Sequence, residues 1–133
     1  MRTETNAVLR KYKTLFCESF PDVLRHFERM ENDEKPSVHL ELWKAPLVRK
    51  RNLKKALEKL GFFVYESDAD NFSVSKIPSI AYWLRQMDND GFYNNSGAVG
   101  VLLGHPLKEV YEYVERTKEE RVLREKHATS KTK

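Results

Sequence analysis

Cysteine is nearly absent: the 133 residues hold one, Cys17. A lone thiol closes no internal disulfide and anchors no thiolate zinc site, which fits a reducing compartment. Glycine and proline number five each, too few for collagen-like or low-complexity chains. Long apolar runs are missing too. The longest stretch free of charged and strongly polar side chains covers 97–104, well short of the roughly 20 residues that cross a bilayer. The opening MRTETNAVLRKYK carries charges where a secretory signal has its apolar segment. The expected location is therefore the cytoplasm, with no membrane partner.

What is present is a globular composition, with 40% hydrophobic and 33% charged residues, 7 Phe, 6 Tyr and 2 Trp. The length suits one domain with a core of its own. The net charge of +4 is unevenly placed. Residues 117–133 carry six Lys or Arg against three Glu, leaving only +1 on residues 1–116. The expected organisation is a single domain over 1–116, then a charged helical extension and frayed tail over 117–133.

Apolar spacing predicts two N-terminal helices, one through Val8, Leu9, Tyr12, Leu15 and Phe16, the next through Phe20, Val23, Leu24 and Phe27. Ser19 is placed to cap the second, with Pro21 and Asp22 in its first turn. Ser37 to Lys44 alternates as a half-buried strand, with His39, Glu41 and Trp43 on its outer face. Leu53, Ala56, Leu57 and Leu60 form one helical face closed by Gly61. Residues 62–66 and 71–76 read as strands joined by Ser67-Asp68-Ala69-Asp70. A helix from Pro78 carries Ile80, Ala81, Trp83, Leu84 and Met87 and stops at Asp88-Asn89-Asp90-Gly91, and a loop follows over 92–95. Ser96 caps a short helix over 97–103, Gly104 breaks it, and Pro106 starts a last helix through Leu107, Val110, Tyr111 and Val114. The fold class is thus α+β: a small sheet with a β-α-β-β core and helices from both termini packed on it.

Few of the reactive residues have the spacing of a site. Cys17 sits among Leu15, Phe16 and Phe20, which suits a buried structural thiol. His26, His39, His105 and His127 lack the pairing that puts two metal ligands on one helical face. Neither Asp68 nor Asp88 starts an EF-hand loop, because the glycine and glutamate such a loop requires are missing downstream. The glycines of 97–104 follow no phosphate-loop order, and Gly100 reads as a point of close approach. No catalytic residue, metal or cofactor is expected. The strongest charge cluster is Arg49, Lys50, Arg51, Lys54, Lys55 and Lys59 on the helix over 47–60, opposed inside it only by Glu58 and read as its solvent side, opposite Leu53, Leu57 and Leu60.

The spacing of Gly100, Leu103, Gly104, Val110 and Tyr113 resembles a helix-turn-helix over 97–114. Its second helix, however, offers Lys108, Glu109, Glu112 and Glu115 where base-reading residues belong. Gly100, Leu103, Gly104, Pro106, Leu107, Glu109 and Val110, within GVLLGHPLKEVYEYV, resemble the signature of an uncharacterised family of small bacterial α/β proteins with a C-terminal Leu-Gly-aromatic-Pro motif. His105 stands at the aromatic position. The resemblance implies a fold type and carries over no catalytic residues. The leading functional expectation is a non-catalytic binding or adaptor protein with a protein partner. The alternatives are a nucleic-acid-binding protein, using the basic helix and tail or the segment 97–114, and an enzyme of unrecognised type.

Overall fold

A computed structural model describes residues 1–42, 44–92, 96–106, 108–110, 112 and 115–116. Trp43, Leu107, Tyr111, Tyr113, Val114, residues 93–95 and the extension 117–133 lie outside the described residues.

The N-terminal apolar stripe forms α1 (Thr3–Lys11) and α2 (Lys13–Phe16), broken at Tyr12, then a 3-10 turn over Cys17–Ser19 and α3 (Phe20–Glu31). Leu9, Phe16, Phe20, Phe27 and Met30 turn inward. Ser19 makes no side-chain cap, because it already has helical dihedrals inside the 3-10 turn. Cys17 takes φ +50° and is exposed. The kink that aims Phe16 and Phe20 into the core thus points the thiol outward, which corrects the expectation of a buried one.

Strand β1 (Ser37–Leu40) leads into α4 (Leu47–Lys59), β2 (Phe63–Glu66) and β3 (Phe72–Ser75). The sheet order is β1-β3-β2, with both pairings antiparallel, so the fold is α+β. The strand expected over 37–44 is shorter because the Leu42 amide turns to the Asn71 side chain, 3.2 Å away. Gly61 closes α4 at φ +97°, with its N–H bonded to Glu58 and that of Phe62 to Leu57. This double bond satisfies the last carbonyls of a helix and requires a left-handed residue.

Helix α5 (Pro78–Asp90) continues through the acidic cluster expected to stop it, and α6 (Ser96–Leu102) starts at Ser96 itself. Gly104 (φ +78°) closes α6 by the same pattern, the amides of Gly104 and His105 bonding Val101 and Gly100. Residues 108–110, 112 and 115–116 are helical. The expected close approach at Gly100 is present: a Cβ there would stand 2.9 Å from Val110 Cγ2.

Register places Val38, Val74 and Val64 side by side, then Leu40, Phe72 and Glu66. This face joins Leu53, Leu57, Phe27 and Met30 in the main core. The opposite face carries Ser37, Ser75 and Phe63, then His39, Ser73 and Tyr65, and α5 packs over it.

Candidate nucleic-acid interface

A helix turns about 100° per residue, so residues four apart form a slowly drifting stripe. On α4, Lys50, Leu53 and Leu57 share the buried side. Arg51, Lys55 and Lys59 form a stripe on the far side, where all three are exposed. The 1.5 Å rise spaces successive members by about 6 Å. Lys54 is half-buried on one flank and Arg49 exposed on the other. No carboxylate lies within 4.0 Å of Arg49, Arg51, Lys54, Lys55 or Lys59 among the described residues.

Lys50 departs from the sequence expectation. It is 4% exposed, and its ammonium lies 3.4 Å from Glu66 and 3.9 Å from Asp70. A buried charge is tolerated when paired, and this pair ties α4 to the end of β2 and the hairpin loop. Lys50 is a fastener for the helix, which leaves four exposed cations and the half-buried Lys54.

The structure adds cations that the helix alone did not suggest. Helix α1 packs against α4, and Arg49 Nη1 donates to Thr14 Oγ1 across 2.9 Å. The guanidinium is thereby set beside the segment that carries Lys11 and Lys13. The signal was the run Arg10-Lys11-Tyr12-Lys13, read only for its apolar spacing. Arg10 and Lys13 flank the Phe20 ring at 5.9 and 5.4 Å.

Other polar clusters are differently built. Lys35, 6% exposed, places Nζ 3.1 Å from His26 Nδ1. Burial, and secondarily Arg29, pushes its amine down to about 8. Burial likewise lowers His26, with Lys35 and Arg25 acting in the same direction. His39, expected on an outer face, is half-buried with its ring 4.7 Å from that of Phe92. Burial lowers its pKa against the opposing pull of Asp88 and Glu41.

A cleft of about 520 Å³ between α6 and the last helical residues has an apolar wall of Phe92, Val99, Leu103 and Val110. His105, Glu109, Glu112 and Arg116 also line it. Its histidine makes no hydrogen bond to either carboxylate among the described residues, so no acidic partner orients it as a base. Exposed Glu109, Glu112 and Glu115 make the second helix of the helix-turn-helix-like segment a poor match to phosphates.

Among the described residues, no group of three or more His, Cys, Asp or Glu could hold a metal. None of their helices is long and apolar enough to cross a membrane. Compared with family models, curated proteins and solved structures, the chain matches none.

Proposed function

We propose that this is a non-catalytic binding protein that engages the phosphate backbone of nucleic acid through the outer face of α4. One observation carries the reading: Arg51, Lys55 and Lys59 lie on one exposed stripe, flanked by Arg49 and Lys54, with Glu58 the one acidic side chain on that face of α4, and no carboxylate within 4.0 Å of any of the five among the described residues. Five cations against the single Glu58 leave a strong excess of positive charge on this face, which concentrates positive potential. The helix beneath is anchored by Leu53, Leu57 and the Lys50 pair, so the charges are presented on a rigid element.

Binding through phosphates releases condensed counterions. The log–log salt slope then falls by about 0.9 per neutralised phosphate on duplex, or 0.7 on single strands. The test replaces Arg51, Lys54, Lys55 and Lys59 together by Gln, leaving Lys50 intact. The expected result is binding at low salt with a steep salt slope, flattened by roughly three units in the variant if all four make contact, at an unchanged melting temperature. An unchanged slope, or no binding of any nucleic acid at low salt, overturns the reading.

A further inference from the structure

Two lysines are buried among the described residues, Lys35 and Lys50, and only one is matched to acids. Lys50 has Glu66 and Asp70 at 3.4 and 3.9 Å, the usual condition for burying a charge. Lys35, between α3 and β1, has no carboxylate within 4.0 Å among the described residues. Its side chain reaches back to α3, where Nζ stands 3.1 Å from His26 Nδ1. The other groups around this pair are cationic or already matched. Arg29 acts on the amine as a like charge, and is held by Gly104 O at 3.3 Å and by Glu34 at 3.6 Å. Asp22, the carboxylate that acts on His26, is paired with Arg25. Gly104 roofs the lysine stem: a Cβ on that glycine would collide with Lys35 Cβ.

Burial and a like charge both favour the neutral amine, whose lone pair is a nucleophile. Enclosure and charge then select the electrophile. With only 6% of Lys35 exposed, the reagent must be small and uncharged as it enters. The product must be anionic, because what the buried amine lacks is a counter-charge. An aldehyde fails the second condition, since an imine adds no negative charge, and an acyl donor fails both. Carbon dioxide meets both: it is a neutral triatomic molecule that becomes an anion on an amine.

We infer that Lys35 forms a carbamate with dissolved carbon dioxide, His26 taking the released proton and, with Arg29, stabilising the new anion. The Nζ lone pair makes the N–C bond, one C=O π pair moves to oxygen, and one N–H proton passes to His26 Nδ1. Amine and carbon dioxide thus give a carbamate and an imidazolium, with no oxidant, reductant or other reactant. The tautomer this requires carries its hydrogen on Nε2 and leaves Nδ1 free to accept. The site is independent of the α4 stripe and of the nucleic-acid reading.

The test equilibrates the full chain with carbon-13-labelled bicarbonate near pH 8, where burial holds the Lys35 amine. Carbamate is followed by carbon-13 NMR and located by trapping with triethyloxonium and peptide mass spectrometry. The Met1 α-amine competes for carbon dioxide, and peptide mass separates it from Lys35. The expected result is a trapped carbamate on Lys35 that rises with dissolved carbon dioxide and exceeds that on exposed Lys55 and Lys59. His26→Gln, which keeps Lys35 and cannot become a cation, should lower the affinity for carbon dioxide by about 10-fold or more, the value of one charge-assisted hydrogen bond. Carbon dioxide at fixed pH should also raise the melting temperature, because it binds the folded state. Lys35→Met keeps the stem under Gly104 and should lose that rise. Circular dichroism checks that both variants fold.

Labelling of Lys35 no greater than that of Lys55 and Lys59 overturns the proposal. Equal labelling of Lys35 in the native chain and in urea overturns it too, since the fold would then contribute nothing. A Lys35 carbamate indifferent to His26→Gln, or a rise in melting temperature that persists in Lys35→Met, has the same consequence.

Discussion

The two faces of the three-stranded sheet are covered by helices in different ways. On one, Val38, Leu40, Val64, Phe72 and Val74 meet Leu53, Leu57, Phe27 and Met30, all within the main core. On the other, Ser37, Ser73 and Ser75 are fully buried beneath α5, whose Ala81 and Leu84 are also fully buried. The serine side chains supply little apolar area. Hydroxyl bonds fix position there instead. Ser37 Oγ donates to Leu102 O at the end of α6, and Ser75 Oγ donates to Pro36 O while accepting from the Ile77 amide where α5 begins. The apolar face supplies most of the stability. The polar face sets where α5 and α6 sit.

The largest effect should come from the apolar face. Phe72 is 1% exposed on the central strand, so Phe72→Ala removes a buried ring and leaves a cavity, at a cost of about 3–5 kcal/mol. Urea denaturation at neutral pH checks this. A loss under about 1 kcal/mol would mean that this face does not dominate stability.

The strands, the α4 periodicity and its Gly61 closure were legible from local pattern, because spacing and turn chemistry are written within a few residues of each other. What covers a pattern was not. The serines of β1 and β3 alternate as a solvent face would, and only α5, arriving from outside the strand sequence, makes them interior. Lys50 was counted with the solvated cations. Its place one turn before Leu53 was visible, but its partners Glu66 and Asp70 come from β2 and the hairpin loop. Trp83 reads as one more apolar helical residue, yet α5 turns only Ala81 and Leu84 fully inward. The cationic stripe was legible as a cluster, though not as the three residues that share a line.

A smaller effect, dependent on pH, should come from His39 on the polar face. Burial depresses its pKa below 6.5, so the native state resists a proton that the unfolded chain takes up. Between the two pKa values the unfolded state binds more protons, and stability falls as pH drops through that window. Below the native pKa this contribution levels off. His26 and Glu31, both lowered as well, add their own acid sensitivity, so the measurement is a difference. The stability of wild type relative to His39→Gln, followed from pH 7.5 to 5, should decline on acidification. A flat difference would mean that His39 titrates alike in both states.

The smallest effect is the sharpest test of how the polar face works, because it contrasts two neighbouring serines on one strand. Ser73 and Ser75 are both fully buried and point to the same side. Ser75 has two partners, whereas Ser73 Oγ has none among the described residues. A buried hydroxyl without a partner loses its water and gains nothing, at about 1–3 kcal/mol, whereas a made bond returns roughly 1 kcal/mol net and strands its partners when removed. Ser75→Ala should therefore destabilise by about 1–2 kcal/mol. Ser73→Ala should be neutral or stabilising by up to about 1 kcal/mol, the lower strand propensity of alanine absorbing part of the gain. Equal losses at the two positions would show that Ser73 holds a bond of its own, and the polar face would then be as fully tied as the apolar one is fully packed.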